Sequence, residues 1–385
     1  NLGTPESQNS IATNVSDLQA AFNSFALDVT SASGRYTLLT NAQALTDRLN
    51  SLSTDIQKLR GDADLQISAD VDTINETLDR LDDLNDQIVK YKVLGQDGVA
   101  DLEDKRDQCL RDLSGLIDIT YFERESGEMV IQTKEGVMLL DKDPHYLSHS
   151  AVTQASPVSG YADGAITGIF VDGEDITNSI VSGEIKGLID VRDNSLTSLQ
   201  SQLDELAGVL AEKINEAHNR GTAYPNTPSE LTGTRDFIDP ANQYIQIQNG
   251  DVRFTIFDDS GKQVATASLM GDMGFSTNGD TVENMVAAIN TWLTSATGAN
   301  LPQAEASIDE NGQVYIYTGS SNYSVSIMDE ASSAVGSGQQ DVVVNFNVSG
   351  PDANRQVHYD RSFKGFSNFL GLNNFFSTNK NECIY

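Results

Sequence analysis

Cations, cysteines and long apolar runs are what this chain lacks. Twenty-four Lys and Arg stand against 56 Asp and Glu, a formal net charge of −32. An acidic surface of that size repels nucleic acid and anionic lipid headgroups, because binding them depends on cations that displace condensed counterions. We therefore expect no nucleic-acid partner and no membrane partner, and read the charge as solubility. Two cysteines, Cys109 and Cys383, are too few for a disulfide framework and belong to no metal-spaced set, so neither is given a role. No window approaches the roughly 18 uninterrupted apolar residues of a membrane-spanning helix. No basic region followed by an apolar one marks a signal peptide. The chain begins with Asn1 rather than Met, which we read as a fragment or a processed product.

Catalytic patterns are missing as well. No GxSxG, HExxH, Walker loop or GxGxxG occurs. His145 and His149 stand four apart, but Pro144 argues for a loop and no third ligand lies nearby for zinc. His218 closes a helix, where an imidazole caps or packs, and His358 stands alone. Asp62 with Asp64, and Asp258 to Gly261, lack the spacing of a calcium loop and read as an interhelix turn and a hairpin turn. Asp104, Arg106 and Asp107 read as an exposed or hairpin-stabilising set of charges. We expect no catalytic residue, no cofactor site and no metal site, and hence no enzyme.

What is present is a folded chain of several parts. Its 385 residues suggest two or three domains. Hydrophobic residues at 38%, with 30 glycines beside them, exclude wholesale disorder and collagen. From residue 13 to about 118 the apolar positions recur at helical spacing. Leu38, Ala42, Leu45, Leu49, Leu52, Ile56 and Leu59 form one stripe, and Ile67, Val71, Ile74, Leu78, Leu81, Leu84, Ile88 and Tyr91 form a second. We expect a break between them at Gly61-Asp62, and a folded-back helix over about 99–115 after Gly95 and Gly98. Short alternating segments around glycine turns follow from Ile119, a small β-rich module up to 186. Helix returns over 187–219 with Leu188, Val191, Leu196, Leu199, Leu203 and Leu206, a stripe that should pack on the earlier ones.

Pro225, Pro228 and Gly233 mark a linker. From 241 to 349 the chain alternates again, with hairpin turns at Asp258–Gly261 and Asp309–Gly312. One helix from about Thr281 to Ser295 carries Val282, Met285, Ile289, Trp292 and Leu293 on one side. The stretch from Gly365 to Phe376 is aromatic and should be buried, in the helical domain or against a partner. The expected fold class is α+β multidomain: a long antiparallel helical rod domain with two inserted β-rich domains. The boundaries are 1–120 for the first part of the rod, 121–186 for a small β-rich domain and 187–222 for the return helix. An outer β-rich domain with one helix takes 223–360, and 361–385 leads back to the rod.

Several runs resemble one family. They are Ala21-Phe-Asn-Ser-Phe25, Gly34-Arg-Tyr-Thr-Leu-Leu39, Ala42-Gln-Ala-Leu-Thr-Asp-Arg-Leu-Asn50 and Asp72 to Ile88. More specific are Asp101-Leu-Glu-Asp-Lys-Arg-Asp-Gln-Cys-Leu-Arg-Asp-Leu-Ser114 and Gly183-Glu-Ile-Lys-Gly-Leu-Ile-Asp-Val-Arg-Asp193. Leu203-Asp-Glu-Leu-Ala207, Asn215-Glu-Ala-His218 and Gly365-Phe-Ser-Asn-Phe-Leu-Gly-Leu-Asn-Asn-Phe-Phe376 complete the set. Together they are similar to the flagellar hook-associated protein 1 family, well over 15–220 and 363–376 and only in style over 222–360. The turn after His218 and Asn374 depart from the family pattern.

That resemblance implies an extracellular structural protein of the bacterial flagellum, joining the hook to the filament in a ring of subunits and serving cell motility. It further implies secretion through the flagellar type III export channel. The implied partners are copies of itself in the ring, the hook protein, the second hook-associated junction protein, and an export chaperone engaging a terminal region outside this chain. The family's terminal polymerisation helices are absent, so the resemblance is to a core fragment. The alternatives are another flagellar axial protein (second junction protein or filament cap) and a secreted adhesin-like surface protein binding through its outer β domain. The Arg106-Asp107 helix and the Gly365 stretch speak against the first. Tyr244, Tyr315 and Tyr317, which an adhesin pocket would use, read as sheet packing.

Overall fold

A computed structural model of the chain describes residues 10–95, 97–152, 159–222, 227–352 and 356–377. Cys383 and Pro225 lie outside the described residues. The apolar stripes become three helices, α1 (Ile11–Leu27), α2 (Ala32–Leu94) and α3 (Val99–Leu116). Serines start the first two. Ser10 Oγ accepts from Thr13 N at 3.1 Å, and Ser31 Oγ accepts from Gly34 N at 3.1 Å, each satisfying a donor that a helix start leaves unpaired. The expected break at Gly61-Asp62 does not occur. α2 runs unbroken for 63 residues, roughly 95 Å at 1.5 Å per residue. Gly61 and Asp64 are buried inside it, and the tertiary partners of Asp64 outweigh the local preference of Gly-Asp for a turn. The turn lies instead at 28–31, where the Asp28 carboxylate accepts from Thr30 N at 3.0 Å. Gly95 and Gly98, both at positive φ, make the turn into α3.

The β-rich segment begins where expected. β1 (Ile119–Glu123), β2 (Met129–Thr133) and β3 (Met138–Leu140) form one antiparallel sheet in that order, with Tyr121 opposite Ile131. β4 (Leu147–Ser148), β5 (Phe170–Val171) and β6 (Glu174–Asp175) form a second. Neither sheet has a core of its own. Met129, Ile131, Leu139, Leu147 and Val171 share one apolar cluster with Ile74, Leu78 and Leu81 of α2 and with Leu110 and Leu113 of α3. The helix expected over 187–219 starts earlier and is interrupted. α4 (Glu184–Asp190) passes through a π-helical turn at Val191–Ser195 into α5 (Leu196–His218). Leu196 and Leu203 of α5 pack on Leu52 and Ile56 of α2, the pairing that the stripes imply.

The chain divides into two compact units, Asn1–Asn23 with Tyr36–Glu205 and Ser24–Arg35 with Leu206–Tyr385. The second unit adds β7 (Glu230–Thr232), β8 (Tyr244–Gln248), β9 (Asp251–Asp258), β10 (Gln263–Ser268) and β11 (Asp280–Thr281). α6 (Val282–Thr294), β12 (Glu305–Ile308), β13 (Val314–Tyr317), β14 (Tyr323–Glu330), β15 (Val343–Asn347), β16 (Arg361–Lys364) and α7 (Phe366–Leu370) follow. They form three antiparallel sheets, ordered β10-β9-β14, β11-β8-β15-β16 and β12-β13-β7. Both Asp-Gly turns are hairpins. Asp258 Oδ1 accepts from Ser260 N and Lys262 N, and Asp309 Oδ1 accepts from Asn311 N and Gln313 N, which uses them as turn residues.

α6 buries Met285, Ile289, Trp292 and Leu293 against Phe254, Ile256, Ile316 and Val325. The aromatic stretch after Gly365 divides in two. Gly365 at φ +82 turns the chain off β16, so that Phe366, Phe369 and Leu370 enter the sheet core, Phe366 lying edge-on to Phe254 at 6.1 Å. Residues 373–376 instead meet the end of α5.

Candidate functional site

The charged residues that matter are pinned between elements of the fold. Gln57, Arg60 and Asp64 fall on one face of α2 by their spacing. Asp64 is 2% exposed and Arg192, in the π-helical turn, 1%. Arg192 Nη1 donates to Asp64 Oδ1 at 2.5 Å, while its Nε and Nη2 reach the two oxygens of Asp193 at 2.9 and 2.6 Å. His149 lies with its side chain enclosed, Nε2 3.1 Å from Asp64 Oδ1 and Nδ1 3.1 Å from the Gly168 carbonyl. Val152 N donates to the second Asp64 oxygen at 2.7 Å. A π turn interrupts the regular helical ladder, and here the Arg192 carbonyl accepts from Arg60 Nε at 3.1 Å. Arg60 also donates to Gln57 Oε1 and to the Ser159 carbonyl.

Burial alone would raise the Asp64 carboxyl, but donation from His149, Val152 and Arg192 holds it below the ordinary carboxylate range. Burial likewise pulls Arg192 down, and Asp193 and Asp64 lift it above its usual value. Both Asp64 oxygens are engaged by these donors, so the cluster works as a joint between α2, the π turn and the loop carrying His149.

Arg106 makes a second joint. It is 2% exposed, and Nη1 donates to the Gly127 carbonyl at 2.8 Å, with Asn85 Oδ1 at 3.4 Å and Glu123 at 3.4 Å from Nη2. Lys92 bridges Glu103 and Glu123 at 3.0 and 2.9 Å. Of the expected charge set, Arg106 thus stabilises the hairpin, whereas Asp104 and Asp107 are exposed.

Side-chain amides supply a recurring device. Asn85 donates to the Met129 carbonyl and accepts from Met129 N, both at 2.9 Å. Asn75 does the same for Leu147, both at 2.8 Å. In the second unit Asn215 holds Phe376 in the same way, both bonds at 2.8 Å. Each clamp satisfies both backbone groups of a residue that a helix approaches.

The other candidates are kept apart. His145 pairs with Asp172 at 2.5 Å, so it and His149 serve different partners. His218 Nδ1 meets the Asn373 carbonyl at 2.7 Å and its ring lies tilted against Phe375 at 5.3 Å, and His358 lies 3.3 Å from Asp352. Burial pushes the Cys109 thiol up, away from a reactive thiolate. Tyr315 and Tyr317 stack on one face of β13 at 6.4 Å, as sheet packing. Among the described residues no three His, Cys, Asp or Glu side chains gather to hold a metal, and no helix is long and apolar enough to cross a membrane.

Asp64, His149 and Arg192 escape a reading by spacing, since 85 and 128 residues separate Asp64 from its two partners. The available signal was an Arg-Asp pair at 192–193 closing a run singled out by resemblance, inside an otherwise apolar helix pattern.

Residues 3–231 match the model of the family described as flagellar hook-associated protein FlgK helical domain. Flagellar hook-associated protein 1 of Escherichia coli (strain K12) is 23% identical over 219 residues, 56% of this chain and 39% of that protein. The protein of the same name from Salmonella typhimurium is 24% identical over 211 residues, 53% of this chain and 37% of that one. The match thus spans well under half the length of these relatives. Among solved structures, the flagellar hook junction protein FlgK from Burkholderia pseudomallei aligns over 97% of this chain and 61% of its own, with a TM-score of 0.49 at 19% identity.

Proposed function

This chain belongs to the flagellar hook-associated protein FlgK family, and on that premise we propose that it joins the flagellar hook to the filament, as one subunit of a junction ring. The observation that carries the reading is the family match over residues 3–231, which takes in all three N-terminal helices, both small sheets and α5. The family is structural, and on this reading the protein's work is mechanical. The buried joints fit such work. Asp64, Arg192 and Arg106 tie helices to loops and strands through hydrogen bonds that fix both distance and direction.

The partners on this reading are other copies of the chain, the hook protein, the second hook-associated junction protein and an export chaperone. The protein leaves the cell through the flagellar type III channel and resides in the flagellum. Helical surfaces face neighbouring subunits, and the acidic β surfaces face solvent. We also propose a division into rod segments 1–120 and 187–222 with β-rich parts 121–186 and 223–360; Arg361–Leu370, expected to lead back to the rod, instead pairs and packs with the outer sheets. Deletion of 235–355 should leave the helical circular dichroism in place, and its loss would move that boundary.

The functional test is deletion of the full gene in the source bacterium, followed by electron microscopy. Cells should carry hooks without filaments and shed flagellin into the medium, and the intact gene should restore filaments. Normal filaments in the deletion strain would overturn the junction role.

A further inference from the structure

The second unit holds an arginine to which the described residues give no salt-bridge partner. Arg235 follows β7, and its backbone N–H donates to the Leu370 carbonyl at 3.3 Å. Its Nε donates to the Phe369 carbonyl. The guanidinium carbon lies 4.3 Å from the ring centre of Phe363 and 4.5 Å from that of Phe369. Cation–π contact with two rings holds the guanidinium in place. Among the described residues, Nη1 and Nη2 have no hydrogen-bond acceptor and no carboxylate within 4.0 Å. Burial, with a like charge from Arg361 on β16 adding to it, lowers Arg235 to about 10. In a chain of net charge −32, two arginines thus lie close together, and no carboxylate of the described residues pairs with Arg235.

Arg235 lines an open cleft together with Thr234, Asn368 and Asn374. Glu212 and Asp236 line it too, but each is engaged elsewhere. Glu212 lies 3.6 Å from Lys213, and Asp236 accepts from Gln313 Nε2 at 2.7 Å. A half-buried guanidinium with an idle two-pronged edge gains from a planar anion that accepts two parallel hydrogen bonds. The two acids in the cleft decide the anion's charge, since they disfavour a dianionic phosphate more than a single carboxylate.

We propose that the Arg235 cleft is a carboxylate-binding site, filled either by an Asp or Glu side chain of a second copy of this chain or by a free small carboxylate. It is independent of the junction reading and stands or falls on this cleft alone.

The test uses the 385-residue chain and a probe with the chemistry of a glutamate side chain, N-acetylglutamate amide. Its uncharged counterpart, N-acetylglutamine amide, is the control. The Nε–H resonance of Arg235 should shift saturably with the first and not with the second. Arg235→Met keeps the apolar stem over the two phenylalanines, and should weaken probe binding by about tenfold or more, the worth of a charge-assisted pair. Should that variant not fold, Arg235→Lys, which keeps the charge and loses the fork, carries the same expectation.

Sedimentation velocity separates the two sources. Self-association that is lost in the variant and in excess probe assigns the site to a carboxylate of a second chain. A monomer that binds the probe assigns it to a free carboxylate. No saturable shift in the wild type, or equal binding by wild type and both variants, overturns the proposal.

Discussion

Replacing Arg192 with methionine strips Asp64 of its cation while leaving the hydrocarbon stem that packs inside the π-helical turn. Arg192 donates at 2.5 Å to Asp64 and at 2.9 and 2.6 Å to Asp193. Breaking one side of a buried pair costs about 3–5 kcal/mol, because the remaining charge stays buried. Asp64 keeps two donors, His149 and Val152 N, and the Asp193 side chain is 18% exposed and partly reaches water, so the low end applies, about 3 kcal/mol. Asp64→Asn removes the same charge from the other side and should cost about 2–3 kcal/mol.

The double variant leaves neither charge stranded, so it should cost less than the sum, with a coupling energy of about 2 kcal/mol. Urea unfolding followed by far-ultraviolet circular dichroism measures all four corners at neutral pH. A coupling within about 0.5 kcal/mol of zero would refute the joint as an energetic unit. The acid limb supplies an independent check. A carboxyl held below its ordinary 3.8 adds stability that is present above that value and is lost as pH falls through the folded value. Asp64→Asn should therefore flatten the acid unfolding limb.

Asp329 carries the opposite sign. Burial raises it to about 6 against the donation of Val342 N and Phe366 N, so its contribution is full below 3.8 and is lost as pH rises through about 6. Relative to Asp329→Asn, the wild type should lose up to about 3 kcal/mol across that window, and parallel pH profiles would contradict the assignment. Gly183→Ala places a Cβ 2.5 Å from the Leu116 carbonyl at φ +96 and should destabilise the first unit by about 2 kcal/mol or more; unchanged melting would show that the α3–α4 approach is looser than described. Asn85→Leu leaves Met129 N–H and C=O without partners and should cost about 2–4 kcal/mol, with faster hydrogen exchange at Met129 as the local readout.

Much of this architecture is legible from spacing. Period-3.6 stripes locate α2, α3 and α6, and Asp-Gly pairs locate the hairpins at 258–261 and 309–312, because these features depend on residues a few positions apart. What spacing misreads is settled by distant partners. Gly61-Asp62 looks like a turn until Asp64 finds Arg192 and His149. His149 has no assigned partner in the sequence, and the structure gives its two nitrogens to Asp64 and Gly168. The π-helical turn leaves no mark in an apolar stripe, since it shifts the register within the same residue types. The amide clamps are as silent, for an asparagine on a helix is ordinary until a strand lies beside it. The family resemblance, carried by whole runs, reached further than any single pattern did.

The clamp at Asn75 closes part of a sheet edge. β4 is an outer strand of its sheet, and outer strands with free backbone groups are templates that any extended peptide can join. Asn75 occupies both backbone groups of Leu147, so α2 stands in for the missing neighbour and finishes the border with a side chain. Any chain that meets others at high concentration gains from such closure. Chains can then press together without zipping into one another, and association is left to surfaces made of side chains, where identity is read.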